Sequence, residues 1–169
     1  MRLFIGIRFD DPFRDQLVRL QELLQDCGLS GSYTAADNLH ITLAFIGEYG
    51  DPGHISDLIE EIGFEPFDIR LKGIGNFGDL YWAGIEKQPE LEKLAKRVRR
   101  ILAENAVPFD RKQFRPHVTL VRNAVFESSF CLPEDMPEAS MTVTGITLYR
   151  SDRAKKGMTY TVLADTSEG

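Results

Sequence analysis

The sequence is poor in histidine, cysteine and tryptophan, with three, two and one of these residues among 169. Cys27 and Cys131 form neither a C-x-x-C motif nor a disulfide framework, so we expect reduced thiols and a cytoplasmic protein. No run of about 18 apolar residues occurs, so no transmembrane helix is expected. The first residues lack the long apolar core and cleavage site of a signal peptide. We therefore expect no membrane partner.

The overall composition is that of an ordinary soluble protein, with 43% apolar and 27% charged residues. The length fits one domain over residues 1–169, or two small lobes that share a core. A formal net charge of -6 argues against a non-specific nucleic-acid coat protein.

The charge is unevenly distributed, because residues 93–122 contain nine Lys or Arg and only two acidic residues. A solvated helix face explains part of this excess. An anionic ligand near His117 is the second interpretation, with Arg115 and Arg122 best placed to bind it.

Apolar patterning predicts an alternation of strands and helices. The predicted strands cover residues 3–9, 39–46, 67–74, 80–86, 114–122, 141–150 and 158–164. The predicted helices begin at Asp10 or Asp11, at Asp51 and at Pro89. Residues 30–38 and 127–139 are predicted to be loops, and residues 153–157 a basic turn.

Two nearly identical stretches stand out: His40-Ile41-Thr42-Leu43 and His117-Val118-Thr119-Leu120. Alternate side chains of a strand share a face, so each His should lie beside its Thr while the apolar residues enter a core. The two stretches are 77 residues apart, and the same offset aligns other positions. The aligned pairs are Leu3 with Leu80, Pro12 with Pro89, Leu17 with Leu94, Leu24 with Ile101, Ile69 with Ile146, and Leu71 with Leu148.

This offset predicts a duplication that yields two similar lobes related by a pseudo-twofold axis. A chance alignment of apolar periodicities is the alternative. If the lobes face each other, both His-x-Thr pairs enter one cleft. Two imidazoles on opposite sides of a reacting atom suit a reaction that needs one proton removed and another donated. Hydroxyl groups of Thr42 and Thr119, with Arg122 or Arg115, would suit a phosphoryl centre, and a strained cyclic phosphate is such a substrate.

Other chemistries fit the sequence less well. A zinc site would need further ligands, since each His-x-Thr strand supplies one, and we expect no metal. No G-x-S-x-G elbow is present for a serine nucleophile. Residues 73–78 partly match a dinucleotide fingerprint but are predicted to form a hairpin. His54 is predicted to be a solvent-exposed residue at a helix start.

The two motifs in their flanking sequence, residues 35–48 and 115–122, resemble the two-histidine (2H) phosphoesterase superfamily. Within it, the chain is most similar to bacterial and archaeal RNA 2′,3′-cyclic phosphodiesterases, also called 2′-5′ RNA ligases. The resemblance implies a bilobal α+β fold in which two antiparallel sheets line a central cleft with helices outside. It also implies metal-independent catalysis without a cofactor.

The implied activity is hydrolysis of 2′,3′-cyclic phosphate ends of RNA or nucleotides to 2′-phosphates. Reversible 2′-5′ RNA ligation and non-catalytic binding of RNA ends are the alternatives. The resemblance places His40, Thr42, His117 and Thr119 in the active site, and we expect His117 to be the proton acceptor and His40 the proton donor. Arg122 matches a basic residue often found after the second motif.

The sequence indicates neither the size of the substrate nor the oligomeric state. We expect a monomer. Four aromatic residues in predicted strands could stack on a base, although such residues are more often part of a core. These are Phe45, Tyr81, Trp82 and Tyr149.

Overall fold

The computed structural model describes residues 1–167, which contain nine strands and three helices. The strands are β1 (Arg2–Arg8), β2 (Leu29–Tyr33), β3 (His40–Glu48), β4 (Phe67–Phe77), β5 (Leu80–Ile85), β6 (His117–Phe126), β7 (Ser140–Val143), β8 (Thr147–Ala154) and β9 (Gly157–Asp165). The helices are α1 (Asp11–Asp26), α2 (Pro52–Glu60) and α3 (Pro89–Glu104). A single 3₁₀ turn, Ala36–Asn38, precedes β3.

The helices begin where capping chemistry predicts. The Asp10 carboxylate accepts a hydrogen bond from the Phe13 backbone N–H at 2.9 Å, and Asp51 accepts one from the His54 N–H at 3.1 Å. A proline occupies the first turn of each of the three helices. His54 is half-buried in the first turn of α2, whereas it was expected to be exposed.

The strands form two antiparallel sheets, in the orders β3-β1-β8-β9 and β2-β6-β5-β4-β7. An offset of 77 residues takes β3 to β6, β1 to β5 and β4 to β8, and these strands occupy corresponding places in the two sheets. The predicted α+β class and two-lobed pseudo-twofold arrangement are thus confirmed. The lobes interleave, because β8 and β9 join the sheet of β1 and β3 from the far end of the chain.

Two predictions about strands were wrong. The predicted loop over residues 30–38 contains β2, a short edge strand whose polar sequence lacks an alternating apolar pattern and which is held by pairing with β6. The predicted strand over residues 141–150 is two strands, because the chain changes sheets between them: β7 pairs with β4 and β8 with β1. Residues 141–149 are all apolar or Thr apart from Gly145, so composition alone did not reveal the crossing.

The apolar faces of the sheets pack against α1 and α3 in one hydrophobic core. In the two motif strands, Ile41, Leu43, Val118 and Leu120 are each 0% exposed within this core. Their neighbours His40, Thr42, His117 and Thr119 are half-buried on the opposite face. The predicted alternation is therefore confirmed, and it directs both His-x-Thr pairs away from the core. No helix within residues 1–167 is long and apolar enough to cross a membrane.

Candidate active site

One cleft of about 490 Å³ brings the two His-x-Thr pairs together. It is lined by residues of β6 from the second sheet and of all four strands of the first. The lining residues are Arg2, Phe4, His40, Thr42, Phe45, His117, Thr119, Arg122, Ser151, Arg153, Met158 and Tyr160. The cleft is thus shared between the lobes, so neither lobe alone contains both imidazoles.

The two imidazoles are held in the same way. His40 Nδ1 lies 2.6 Å from the carbonyl oxygen of Asn38, and His117 Nδ1 lies 2.6 Å from that of Arg115. A carbonyl oxygen can only accept, so Nδ1 carries hydrogen in both rings. This fixes the tautomer and leaves the lone pair of each neutral ring on Nε2, the atom that can take part in proton transfer. In both cases the acceptor lies two residues before the histidine, as the duplication predicts.

His40 is enclosed by aromatic rings of the first sheet. Its ring centroid is 4.8 Å from Phe4, 5.3 Å from Tyr160 and 5.6 Å from Tyr149. This burial removes water from the imidazolium and lowers the pKa of His40 to about 4, although the bond to the Asn38 carbonyl opposes the shift. Electrostatic repulsion from His117 and Arg122 lowers the pKa further. Neutral His40 accepts a hydrogen bond at Nε2 from the Thr42 hydroxyl, at 2.9 Å.

His117 has different neighbours, although its backbone support is the same. Phe77 contacts it edge-on with centroids 5.5 Å apart, and Trp82 lies at 6.1 Å. Phe77 is itself 43% exposed, so this side of the cleft is more open than the cage around His40. The pseudo-symmetry of the backbone therefore does not extend to the surroundings of the two imidazoles.

Three arginines line the cleft, and no carboxylate does: Arg2, Arg122 and Arg153. Within residues 1–167, none of the three guanidinium groups is within 4.0 Å of a carboxylate. The cleft is therefore cationic in a protein of net charge -6. Such a surface attracts anionic ligands and carries groups that can bind phosphate oxygens.

The fold places the nine basic residues of segment 93–122 at different sites. Of its nine cations only Arg122 lines the cleft. Arg115 is exposed and is not among the lining residues, although its carbonyl supports His117. Arg99 donates to the backbone carbonyls of Leu43 and Lys112 at 3.1 and 2.7 Å, which is a structural role. The charge excess therefore belongs mainly to the solvated face of α3 and to the chain that follows it.

The four aromatic residues that could stack on a base also lie in different places, and only one of them lines the cleft. Phe45 lines the cleft, where the Arg2 guanidinium lies 5.3 Å from its ring centroid. Tyr149 is 2% exposed behind His40, and the Trp82 ring occupies the space that a side chain at Gly75 would fill. Tyr81 is half-buried against the core.

Sequence patterns missed six lining residues: Arg2, Phe4, Ser151, Arg153, Met158 and Tyr160. All six lie on β1, β8 or β9, outside both motifs. Strand parity in β1 and β9 could have indicated a shared face, but only the sheet order brings that face to His40.

The residues predicted for other chemistries do not assemble a second centre. Residues 73–78 lie at the hairpin between β4 and β5, as predicted. In the part of the chain that the structure describes, no three His, Cys, Asp or Glu side chains are grouped so that they could hold a metal ion.

Known proteins resemble this chain over nearly its whole length. The sequence model of the 2′-5′ RNA ligase superfamily matches residues 9–155. RNA 2′,3′-cyclic phosphodiesterase of Thermotoga maritima is 30% identical over 176 residues, covering 96% of this chain and 93% of the relative. The protein of the same name from Escherichia coli is 31% identical over 96% of this chain and 93% of its own length.

Solved structures agree with the sequence comparison. The crystal structure of E. coli LigT complexed with 3′-AMP has a TM-score of 0.79 and 31% identity, covering 97% of this chain and 95% of that one. A phosphoesterase crystal structure has a TM-score of 0.82 and 30% identity over the same shares. The match of fold and sequence thus extends across both lobes and both His-x-Thr strands. This chain belongs to the 2′-5′ RNA ligase superfamily.

Proposed function

We propose that this protein hydrolyses 2′,3′-cyclic phosphate ends of RNA or nucleotides to 2′-phosphates. The observation that carries the proposal is the convergence of both His-x-Thr pairs on one cleft whose charged lining is cationic. The names of its relatives support the same reaction.

In the proposed reaction, water attacks the phosphorus while His117 Nε2 accepts the proton of that water. The bond from phosphorus to O3′ breaks, and His40 Nε2 donates a proton to O3′. The products are a 2′-phosphate and a free 3′-hydroxyl. Both imidazoles then exchange a proton with solvent before the next turnover. General acid and base catalysis contribute roughly 10²- to 10⁴-fold each.

Hydrogen-bond donors in the cleft stabilise the negative charge that develops on the non-bridging oxygens. We assign this role to the hydroxyl groups of Thr42 and Thr119 and to the guanidinium of Arg122. Arg115 was also predicted to bind substrate; its exposure outside the cleft favours Arg122 over it.

The low pKa of His40 is part of this mechanism. A pKa of about 4 keeps the ring neutral in the free protein at pH 7. A phosphate anion bound beside His40 favours the charged ring and raises its pKa, against the burial that mainly lowers it and against the repulsion from His117 and Arg122. His40 therefore becomes a donor on substrate binding.

The direct test is an assay with cytidine 2′,3′-cyclic phosphate in the presence of EDTA. We expect the 2′-phosphate as product, and loss of activity in His40→Ala and in His117→Ala. His54→Ala is the matched control, since this third histidine lies in α2, and it should retain activity. The proposal fails if no product forms, or if both cleft variants keep the wild-type rate.

The donor and acceptor are distinguished with a substrate whose bridging 3′ oxygen is replaced by sulfur. A thiolate leaves without protonation, so His40→Ala should recover most of its lost rate on this substrate. His117→Ala should be equally impaired on both substrates. Recovery in His117→Ala alone would reverse the assignment.

Ligation is the second candidate, because the matched superfamily is described by 2′-5′ RNA ligase activity. The same groups would join a cyclic phosphate end to a 5′-hydroxyl end if the 5′ oxygen attacked phosphorus in place of water: His117 accepts the proton of that hydroxyl, the bond from phosphorus to O3′ breaks, and His40 protonates O3′. Incubation with paired RNA halves that bear these ends tests it. Formation of a 2′-5′ linkage that depends on both histidines would establish ligation.

We also propose that the protein is a cytoplasmic monomer. Cys27 and Cys131 are both unpaired, which suits a reducing compartment. Each copy of the chain supplies both imidazoles, so the proposed reaction requires no partner subunit. Fractionation of the host cell and sedimentation of the purified protein test these two points.

A further inference from the structure

A second groove of about 520 Å³ adjoins the catalytic cleft. The two share one wall, formed by Arg122, Arg153, Met158 and Tyr160. Beyond this wall, the second groove extends between β2 and the hairpin of β8 and β9 to Lys156. A ligand chain that leaves the cleft past Arg153 therefore enters the second groove directly.

The second groove is also cationic. Arg122, Arg153 and Lys156 line it, and no carboxylate does. In the described part of the chain, none of these three cations is within salt-bridge distance of an acidic group. Their positive charge is thus not neutralised by the protein, and a negatively charged ligand would meet three free cations.

An irregularity in β6 adds a further polar group to this wall. Ser32 pairs with Arg122 and Ser30 with Val125, so two residues of β6 lie opposite Gly31 alone. Asn123, the first of these two, has a positive φ of 53°, a left-handed conformation that Asn adopts more readily than most residues other than Gly. A regular strand would direct Arg122 and Asn123 to opposite faces, but this bulge lets both line the second groove.

Gly31 makes the bulge possible. Its φ is +153°, and a Cβ atom at this position would lie 2.8 Å from the Arg122 carbonyl oxygen. The close approach of β2 to the bulge therefore requires glycine.

The chemistry of the two compartments differs. The catalytic cleft offers the half-buried ring of Phe45, which suits a base. The second groove instead adds the ammonium of Lys156 and the amide of Asn123 to the shared guanidinium groups. Charged and neutral N–H donors of this kind bind the oxygens of a phosphodiester.

We propose that the second groove binds the nucleotide on the 5′ side of the cyclic phosphate, with its phosphodiester held near Arg153, Lys156 and Asn123. This inference rests on the proposed function. The preferred substrate is accordingly an RNA end of at least two nucleotides. A mononucleotide fills the catalytic cleft only.

The experiment compares kcat/KM for cytidine 2′,3′-cyclic phosphate and for the dinucleotide ApC with the same cyclic end. The wild type should prefer the dinucleotide. Lys156→Ala should lower the dinucleotide value about three- to fivefold, the upper range for an exposed charge pair, and the mononucleotide value by less. Lys155→Ala is the matched control, because its side chain is exposed, carries the same charge and does not line the second groove. It should retain the wild-type preference.

Salt dependence gives an independent readout of the phosphate contact. The slope of log kcat/KM against log salt concentration should be steeper for the dinucleotide by about 0.7 for one phosphate contact. Lys156→Ala should reduce this difference, and Lys155→Ala should not.

Three outcomes would overturn the proposal while leaving the hydrolysis intact. The kcat/KM for the dinucleotide could be no higher than that for the mononucleotide. The two lysine variants could also show the same loss of kcat/KM on the dinucleotide. Alternatively, Lys156→Ala could impair both substrates equally, which would assign the second groove to the terminal nucleoside. If neither substrate is hydrolysed, the proposed function itself fails. Calorimetric binding of the 2′-phosphorylated dinucleotide and mononucleotide to the same variants then decides whether the groove exists as a binding site.

Discussion

At the scale of single residues, His40 links the chemistry of the cleft to the stability of the fold. Its pKa is about 4 in the folded protein and 6.5 without the protein environment. Between these values the unfolded chain binds more protons than the folded one, so stability rises with pH. The stability that neutral, buried His40 contributes to the fold is fully present above pH 6.5. It is lost as the pH falls toward 4.

We predict that the free energy of unfolding of the wild type falls between pH 6.5 and pH 4.5 more steeply than that of His40→Gln. Glutamine cannot take up the proton, so the variant lacks this component. Urea titrations at several pH values measure the difference. Parallel pH dependences would show that the burial of His40 has no titration cost.

The Thr42 hydroxyl gives a second prediction at this scale. Thr42→Val keeps the shape and removes the donor that contacts His40 Nε2 at 2.9 Å. If the hydroxyl stabilises charge in the transition state, kcat should fall by roughly 10²-fold or more, as with the loss of an oxyanion donor. Thr42→Ser restores the hydroxyl and should recover most of the rate. A valine variant with the wild-type kcat would exclude this role.

At the scale of elements, the position of His40 depends on how closely β1 approaches β3. Gly6 pairs with Thr42, next to an irregularity in the ladder. A Cβ atom on Gly6 would lie 2.5 Å from the Ile41 carbonyl oxygen and 3.4 Å from His40 Cδ2. The first distance is too short to exist, so a larger residue must displace β3.

We predict that Gly6→Ala lowers the free energy of unfolding by about 1–3 kcal/mol, the usual range for overpacking. It should also lower kcat/KM, because the backbone that carries His40 moves. Gly50→Ala is the control, since nothing lies within 4 Å of the added methyl group. Unfolding and kinetic measurements on both variants provide the comparison. The prediction is wrong if the two variants behave alike.

Elements with strong local signals could be predicted from sequence. The helices were predicted from caps such as Asp10 and from apolar spacing, and the two motif strands from alternation. The edge strand β2 could not be predicted, because its sequence has no alternating apolar pattern and it is held in place by pairing with β6. The same limit applies to the site: the motifs placed four residues in the cleft, whereas Arg153 and Tyr160 reach it only through the sheet order.

At the scale of the whole molecule, we propose that the chain is one bilobal domain over residues 1–169, of which residues 168 and 169 lie outside the described part. The two sheets share one core, and each sheet contains strands from both halves of the sequence. Both lobes should therefore unfold together, since neither keeps its packing when the other is lost.

We predict coincident urea transitions by fluorescence and by far-UV circular dichroism. Trp82, the single tryptophan, lies on β5 beside His117 and reports on the second sheet. Circular dichroism reports on both sheets. A fluorescence transition that precedes or follows the dichroic one would show that the lobes unfold separately.

The interleaved order also has a consequence for synthesis of the chain on the ribosome. Strand β1 lies between β3 and β8, so one of its edges stays unpaired until residues 147–154 have been made. The part of β1 that pairs with β8, Arg2–Gly6, contains Leu3 and Ile5, which are fully buried in the finished protein. An apolar strand with an open edge readily pairs with other chains. The nascent protein therefore exposes an aggregation-prone edge from the synthesis of β1 onward, and closes it only when the strand that carries Ser151 and Arg153 emerges.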